Sequence, residues 1–412
     1  MSGGRWTPPP RPTWVADLIA SGATVGPIAL HPLDPDALLA TAVRVAGTDD
    51  FGGATWAEGY GRLCAALVDE AQLHAVGAAL TRSEILRTLV NRLRIVTAGP
   101  VAAAPVTAPW IVTGTARSGT SILHELLALD PSARVPRAWE VLDSVPAPGG
   151  DPDPERVERI DHEVRLWDRI TPEYLTMHEN GGALPIECIF VTAHEFASEH
   201  WSGVHHVPTY NRWLVRHDLR DAYRWHRRQL KWLGQHDPAG RRWVLKAPSH
   251  LGALPALFAT YPDAWILQTH RDPMQTIPST ISLMATLRWM RSDALDVDGL
   301  ARTMAKGVAM LFDAVMGMRA DGTLPDDRFV DVHYADLTRD PAGTLRAIYD
   351  RVGRDWPDGF DGRITAYLAA KPRAVHGAHR YSVAEFGLDR DELRERYRPY
   401  VERFGVAVER TA

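Results

Sequence analysis

Short runs of apolar, β-branched residues alternate along this chain with longer segments in which apolar residues recur every three or four positions. The runs at 109–113, 242–246, 264–269 and 328–333 are typical of strands buried on both faces of a sheet. Helices are predicted at 120–129 and 251–261, from about 274, at 297–320, and through most of 341–404. This alternation of strands and helices indicates an α/β fold in which helices flank a central parallel sheet.

The first hundred residues predict helices only. Apolar residues recur every three or four positions in 34–46, 56–76 and 81–96. The segment Thr81-Arg82-Ser83-Glu84 has the form of a capping box, which predicts that the third of these helices begins there. No catalytic motif occurs in this region.

These patterns predict two parts in the chain. Residues 1–100 form a helical N-terminal region, and residues 101–412 form the α/β domain. Within that domain, a charged and tryptophan-rich segment at about 151–240 predicts a helical insertion, which we place on the substrate side of the sheet.

Composition narrows the function classes. The 412 residues carry a net charge of −5, which argues against a general nucleic-acid binder. The two cysteines, Cys64 and Cys188, exclude a disulfide scaffold and cysteine-rich metal sites, and we predict no metal site. The most apolar long run, 96–114, contains three prolines and makes a poor membrane span. We expect a soluble, cytoplasmic protein; nothing in the sequence indicates an oligomeric state.

A glycine-bounded loop follows the first predicted strand. Gly114 and Gly119 have the spacing of a nucleoside-triphosphate P-loop, whose backbone N–H groups surround a phosphate at the start of a helix. Thr120 stands where such a loop has lysine, and the cation is Arg117 instead. Triphosphate hydrolysis is therefore poorly supported, whereas Arg117 can bind a 5′-phosphate with help from the hydroxyls of Thr120 and Ser121.

A second anion site is predicted at the end of the third predicted strand. Arg271 lies just past that strand's carboxyl end, where open α/β sheets bind their ligands, and Ser279 follows in the next helix. Two separate anion sites indicate a nucleotide that carries phosphates on both its 5′ and 3′ carbons.

Together these segments resemble sulfotransferases that use 3′-phosphoadenosine-5′-phosphosulfate (PAPS). The loop 113–121 is similar to the family's 5′-phosphosulfate loop, and Arg271 with Ser279 to its 3′-phosphate motif. Later segments resemble further blocks of the bacterial branch, so the resemblance covers about 109–405; they are 243–251, 334–341 and 380–388.

The resemblance implies transfer of a sulfuryl group from PAPS to a hydroxyl or amine of a small-molecule, lipid or glycolipid acceptor. The product would be adenosine 3′,5′-bisphosphate, and no metal would take part. The implied donor-binding residues are Gly114, Arg117, Ser118, Gly119, Thr120, Ser121, Arg271, Ser279 and Arg380.

Transfer also requires groups that stabilise the leaving phosphate and a base. Arg117 and Lys246, which is one of only four lysines among 46 basic residues, are predicted to stabilise the developing charge. The resemblance offers two residues as the base. Glu140, which we prefer, is similar to the proposed base of tyrosylprotein sulfotransferases, and His250 is similar to the base histidine of cytosolic sulfotransferases. Glu187 lies two predicted helical turns before His194 and is a weaker candidate, for lining the substrate site.

Two other functions remain open. A P-loop kinase or NTPase would bind ATP with Mg²⁺, and the threonine at position 120 argues against it. A non-catalytic nucleotide-binding module would bind the nucleotide without turnover. The joint presence of Arg117, Lys246, Arg271, Ser279 and a nearby carboxylate makes this second alternative weaker.

Overall fold

The computed structural model describes residues 4–99, 105–146, 153–235, 237, 239–371 and 382–409. Five parallel strands form one sheet in the order β2-β3-β1-β4-β5. The strands are β1 (Trp110–Gly114), β2 (Ala133–Arg134), β3 (Arg242–Lys246), β4 (Trp265–His270) and β5 (Phe329–His333). The predicted α/β fold with a P-loop-like parallel sheet is confirmed. Only β2 escaped prediction, because two residues carry no periodicity.

The strands bury both faces, as their continuous apolar runs predict. On one face, Ile111, Leu245 and Ile266 belong to a core that includes the helices Leu254–Thr260 and Pro273–Trp289. On the other face, neighbouring strand residues pack against the helices that follow β1 and β5; these strand residues are Trp110, Val112, Val244, Leu267 and Val332. Helices therefore cover the sheet on both sides.

The register of the sheet positions the site. β1 lies between β3 and β4, with Val112 opposite Lys246 and Gly114 opposite Thr269. Because all strands are parallel, their carboxyl ends meet at one edge, and the loop after β1 begins there.

Helices make up most of the remaining chain. The α-helices are Thr13–Ala23, Pro27–Leu30, Pro35–Ala46, Ala57–Asp69, Ala75–Thr97, Thr120–Leu127, Ala138–Leu142, Asp153–Ile170, Ile189–Thr192, Glu199–Val204, Pro208–Leu214, Arg220–Gly234, Leu254–Thr260, Pro273–Trp289, Val297–Ala320, Tyr334–Arg339, Pro341–Val352, Phe360–Ala370 and Arg390–Phe404. Short 3₁₀ helices are Pro172–Thr176, Ala193–Glu195, Pro248–Ala253, Asp326–Arg328 and Val383–Phe386.

The N-terminal helices share a core with part of the predicted insertion. Leu63 and Leu89 of the N-terminal helices belong to the same buried cluster as Phe196, Trp201 and Tyr210. A buried ion pair at 2.7 Å between Arg92 and Glu195 joins the same two segments. The first hundred residues therefore pack on the insertion, and they also contact the α/β domain directly through the buried Glu84–Arg291 ion pair.

The predicted helix start at Thr81 is wrong. The helix Ala75–Thr97 begins six residues earlier, because His74 supplies the cap: its Nδ1 accepts the Gly77 N–H at 3.0 Å. The Thr81 hydroxyl instead donates to the Gly77 carbonyl inside the helix, and Glu84 pairs with Arg291.

The described helices were also compared with the requirements of a membrane span. None of them is by itself long and apolar enough to cross a bilayer. One pair, Thr13–Ala23 with Pro27–Ala46, meets the length and composition test together, across a bend of 92°.

Candidate active site

The glycine-bounded loop connects β1 to the helix Thr120–Leu127, as predicted. Both glycines have backbone angles that other residues rarely adopt, with φ of 147° at Gly114 and 96° at Gly119. A Cβ atom on Gly114 would lie 2.6 Å from the Thr269 carbonyl oxygen, and one on Gly119 would lie 2.8 Å from the Tyr334 ring. The loop therefore requires glycine at both positions.

The helix after the loop presents its N-terminus to the same place. Gly119 is the N-cap residue and has no side chain to accept a hydrogen bond from the first turn. The N–H groups of a helix's first turn have no partner within the helix, and its dipole favours an anion there. The loop and helix start together form a site suited to a phosphate or sulfate group.

Ser118 shapes this loop from within. Its buried hydroxyl lies 2.6 Å from the Thr115 carbonyl oxygen, to which it donates, and 2.5 Å from the Thr269 hydroxyl of β4. The Ser118 side chain thus ties the loop to β4, which is a structural use of a residue that we predicted to bind the donor.

Arg117 connects the two predicted anion sites. It adopts a left-handed backbone conformation with φ of 69°, which is uncommon for a residue with a side chain and recurs at functional sites. Its Nε donates to the Ser279 hydroxyl at 3.0 Å, and its Nη1 donates to the Met177 carbonyl at 2.6 Å. Arg271 donates in turn to the Arg117 carbonyl at 3.0 Å. Arg117, Ser279 and Arg271 therefore form one hydrogen-bonded unit.

Arg271 also holds a carboxylate from the C-terminal segment. Its Nε and Nη2 donate to the two carboxylate oxygens of Glu409 at 2.7 and 3.0 Å. The guanidinium carbon lies 4.0 Å from the centre of the Tyr334 ring, and the Glu409 N–H donates to Asp272 at 2.9 Å. Glu409 thus occupies the Nε–Nη2 edge of the guanidinium, through which Arg271 could bind a phosphate with two hydrogen bonds.

Lys246 forms a buried ion pair at the end of β3. Its Nζ lies 2.5 Å from a carboxylate oxygen of Glu187 and 3.3 Å from the Ser121 hydroxyl, and only 3% of its side chain is exposed. Burial opposes ionisation of Glu187, but the charge of Lys246 and its hydrogen bond to the carboxylate outweigh burial and lower the pKa of the carboxyl. A cation and a carboxylate therefore lie beside the start of the helix that follows the loop.

Other titratable groups surround this pair. Burial and the charge of Lys246 lower the pKa of His178 to about 4 and that of His124 to about 3, so both rings are neutral at neutral pH. Although solvent reaches Glu199, surrounding protein atoms desolvate it enough to raise its pKa to about 6, and Glu187 adds to this shift. Two carboxyl groups with opposite pKa shifts thus influence each other here.

The hydrogen bonds of both predicted bases go to residues outside the unit of Arg117, Ser279 and Arg271. Glu140 accepts hydrogen bonds on both carboxylate oxygens, from Arg134 at 3.0 Å and from the Arg137 N–H at 3.1 Å, and so caps the helix Ala138–Leu142. His250 is 1% exposed, and burial followed by the charges of His226 and Lys246 lowers its pKa far below the usual value. Their role as base stays a prediction that this geometry does not favour.

From the sequence, Glu187 had only a weak candidate role, in lining the substrate site, and Glu409 had none. Glu187 was placed on a helix face with His194, but it precedes the short helix Ile189–Thr192, so that spacing was misleading. Glu409 carries no motif, and its contact with Arg271 has no signal in the sequence. The predicted donor-binding residue Arg380 lies outside the described residues.

Comparisons with known proteins identify similar chains. The model of the Sulfotransferase family matches residues 109–358. A curated relative, omega-hydroxy-beta-dihydromenaquinone-9 sulfotransferase Stf3 from Mycobacterium tuberculosis, is 27% identical over 268 residues, which are 63% of this chain and 66% of that protein. The match thus spans slightly less than two thirds of the curated relative's length.

Two solved structures resemble the whole fold. Sulfotransferase STF1 from Mycobacterium tuberculosis H37Rv superposes with a TM-score of 0.75 at 31% identity, over 88% of this chain and 97% of that one. Sulfotransferase STF9 from Mycobacterium avium superposes with a TM-score of 0.76 at 23% identity, over 91% of this chain and 97% of that one. Both likenesses extend well beyond the segment that the family model matches.

Proposed function

Because this chain belongs to the sulfotransferase family, whose members are transferases, we propose that it transfers a sulfuryl group from PAPS to a hydroxyl group of a lipid-like or other small acceptor. The observation that carries this proposal is the hydrogen-bonded unit of Arg117, Ser279 and Arg271, which connects the two predicted anion sites. A donor with phosphates on its 5′ and 3′ carbons needs such a pair of sites.

The residues divide naturally between the two ends of the donor. The loop between Gly114 and Gly119, with Thr120 and Ser121 at the helix start, is suited to the 5′-phosphosulfate. Arg271 and Ser279 are suited to the 3′-phosphate. The absence of side chains at both glycines leaves room for close approach of the donor's anionic group to the backbone.

Transfer forms a bond between sulfur and the acceptor oxygen and breaks the bond between sulfur and the bridging phosphate oxygen. Negative charge therefore grows on the leaving phosphate, where Lys246 and Arg117 are the nearby cations. The acceptor's hydroxyl proton must leave at the same time. We assign it to Glu187, whose carboxylate is ionised and 2.5 Å from Lys246.

Glu187 is a weak base while it is paired with Lys246, since the pair lowers its pKa. Attraction of Lys246 to the anionic donor would weaken this pair and make the carboxylate more basic. Glu199, whose pKa is raised to about 6, is the second candidate in this neighbourhood. Both are better placed than Glu140, whose two carboxylate oxygens already accept hydrogen bonds.

A lipid-like acceptor is supported by two observations. The curated relative Stf3 is named for a hydroxylated menaquinone, which is a lipid. In this chain, Ile189 and Phe190 lie two and three residues after Glu187 and remain partly exposed, so apolar surface lies close to the proposed base in the chain. We also propose a cytoplasmic location, because both cysteines are buried and unpaired, as is usual in a reducing compartment.

The test is calorimetric titration of the purified protein with adenosine 3′,5′-bisphosphate, and separately with ATP and Mg²⁺. We expect binding of the bisphosphate and none of ATP at matched concentrations. Preference for ATP would overturn the proposal in favour of a kinase. Bisphosphate binding without turnover of PAPS, with hydroxylated quinones and fatty alcohols as acceptors, would indicate the non-catalytic module.

A further inference from the structure

Three buried side chains that the proposed transfer does not use lie together beside the Lys246–Glu187 pair. They are Cys188, which follows Glu187, His226 on the helix Arg220–Gly234, and His250 in the turn after β3. The cysteine sulfur and one ring nitrogen from each histidine lie within 4.8 Å of one another. These residues are far apart in the sequence and have no metal-binding spacing, which is why the sequence predicted no metal site.

The cluster leaves polar atoms without partners. Cys188, His226 and His250 are 1%, 0% and 1% exposed. Within the part of the chain that the structure describes, the Nε2 atoms of both histidines have no hydrogen-bond partner. Burying a polar nitrogen without a partner is costly, so two such atoms beside a thiol require an explanation.

Two other buried histidines of this protein, His205 and His194, have a partner on each ring nitrogen. In His205, Nε2 lies 2.8 Å from the Thr81 hydroxyl and Nδ1 lies 2.9 Å from the Trp201 carbonyl oxygen. His194 likewise has partners on both ring nitrogens. Among the described residues, buried His74 also has an Nε2 without a partner, but only this cluster places two such nitrogens beside a thiol.

The other ring nitrogens of the cluster are held by two tyrosines. The Nδ1 of His250 lies 2.6 Å from the Tyr223 hydroxyl, and the Nδ1 of His226 lies 2.7 Å from the Tyr261 hydroxyl. When each Nδ1–H donates to its tyrosine oxygen, each Nε2 carries a lone pair. A bond on the far nitrogen that fixes ring and tautomer is the usual outer support of a histidine metal ligand.

We propose that Cys188, His226 and His250 bind one d¹⁰ metal ion, Zn²⁺ or Cu⁺. Thiolate and imidazole are the ligands that both ions prefer. Binding converts the Cys188 thiol to a thiolate and releases one proton to solvent. Ligand distances of about 2.0–2.3 Å require the three atoms to draw together by roughly an ångström, which side-chain rotations can supply.

Such an ion would stabilise the neighbourhood of the transfer site. The Cys188 N–H donates to the Lys246 carbonyl at 2.8 Å, so the ion would connect the segment that carries Glu187 to β3 and to the helix Arg220–Gly234. The ion's role is structural, and its binding can be measured independently of sulfuryl transfer.

The experiment uses the full chain, purified without metal-affinity chromatography and dialysed to remove loosely bound ions. We expect one equivalent of zinc or copper per chain by elemental mass spectrometry, and the element found distinguishes the two ions. After chelation, titration with Co²⁺ should give a thiolate-to-cobalt charge-transfer band. Cys188→Ser should abolish this band, while Cys64→Ser, the matched change at the other buried cysteine, should leave it intact.

Three further variants separate the loss of the cluster from general destabilisation. His205→Gln should keep the metal, whereas His226→Gln should lose it. Tyr223→Phe keeps all three ligands and should weaken metal binding about 10- to 100-fold. The wild-type result decides the question even where a cluster variant fails to fold. The proposal would be overturned if wild-type protein is purified without zinc or copper and develops no cobalt band. An equal cobalt band in Cys188→Ser and Cys64→Ser would also overturn it.

Discussion

The Arg271–Glu409 ion pair predicts that the C-terminal segment competes with the donor. A 3′-phosphate that binds Arg271 through both Nε and Nη2 would lie where the two Glu409 oxygens now lie, at 2.7 and 3.0 Å from these nitrogens. The substitution Glu409→Gln removes the competing charge while it keeps the size of the side chain. The Asp272 contact uses the Glu409 backbone N–H and should persist.

The size of the effect follows from exposure. The side chains of Arg271 and Glu409 are 21% and 31% exposed, so solvent screens their attraction only in part. Exposed ion pairs contribute about 0–1 kcal/mol to stability, and a bidentate, partly buried pair should lie near the upper end of that range. A release of about 1 kcal/mol corresponds to a roughly fivefold gain in affinity for adenosine 3′,5′-bisphosphate.

The assay is calorimetry at fixed ionic strength with adenosine 3′,5′-bisphosphate and with adenosine 5′-monophosphate, which lacks the 3′-phosphate. Glu409→Gln should improve binding of the bisphosphate only. Glu402→Gln removes the same charge from an exposed ion pair with Arg398 within the helix Arg390–Phe404. It should change the affinity for neither nucleotide. Arg271→Ala should weaken the bisphosphate far more than the monophosphate.

Two results would refute this reasoning. Equal gains for both nucleotides in Glu409→Gln would mean that the effect is general electrostatics rather than release of Arg271. An unchanged or weaker bisphosphate affinity in Glu409→Gln would mean that Glu409 does not compete. Equal losses for both nucleotides in Arg271→Ala would show that Arg271 does not bind the 3′-phosphate.

Further predictions concern the base, the loop and acid stability. Glu187→Gln should lower kcat by about 10²–10⁴-fold and leave bisphosphate affinity nearly unchanged, whereas the same result in Glu140→Gln instead would restore the base predicted from the sequence. Gly119→Ala should destabilise the protein by about 1–3 kcal/mol in chemical denaturation, because it strains a positive φ and brings a Cβ against Tyr334. Burial lowers the pKa of His205 to about 3, so only the unfolded chain takes up that proton as pH falls below 6.5. Its stabilising contribution should be full above 6.5 and fall by about 2 kcal/mol at pH 5; His205→Gln should flatten this part of the pH profile, and an unchanged slope would contradict the shift.

The sequence predicted the sheet well because its strands are buried on both faces. The four longer strands lie within one residue of their predicted positions, since continuous apolar runs leave little choice of boundary. The helix Val297–Ala320 was also predicted at its full length. The site was harder to predict. The loop and the Arg271–Ser279 pair could be recognised because each is a short sequence motif. The partners of Lys246 and Arg271, which are Glu187 and Glu409, come from distant segments and could not.

The errors have the same physical origin. Thr81 has a good capping pattern, but His74 caps the helix earlier. The side chains of Glu84 and Thr81 contact Arg291 and His205 instead. Glu187 and His194 have helical spacing, yet the chain there forms only one short helical turn and a 3₁₀ segment. Local patterns report propensity, and tertiary contacts override it where the propensity is weak.

The core shared by the N-terminal helices and the insertion bears on how this protein can be shortened or recombined. A chain cut to the matched segment 109–358 would lose Leu63 and Leu89. The side chains of Phe196 and Trp201, which belong to the same core, would then be exposed to solvent. Large apolar patches of this kind promote aggregation. The stretch that identifies the family is therefore smaller than the unit that can be exchanged between relatives, and chimaeras should carry the first hundred residues with the insertion that they cover.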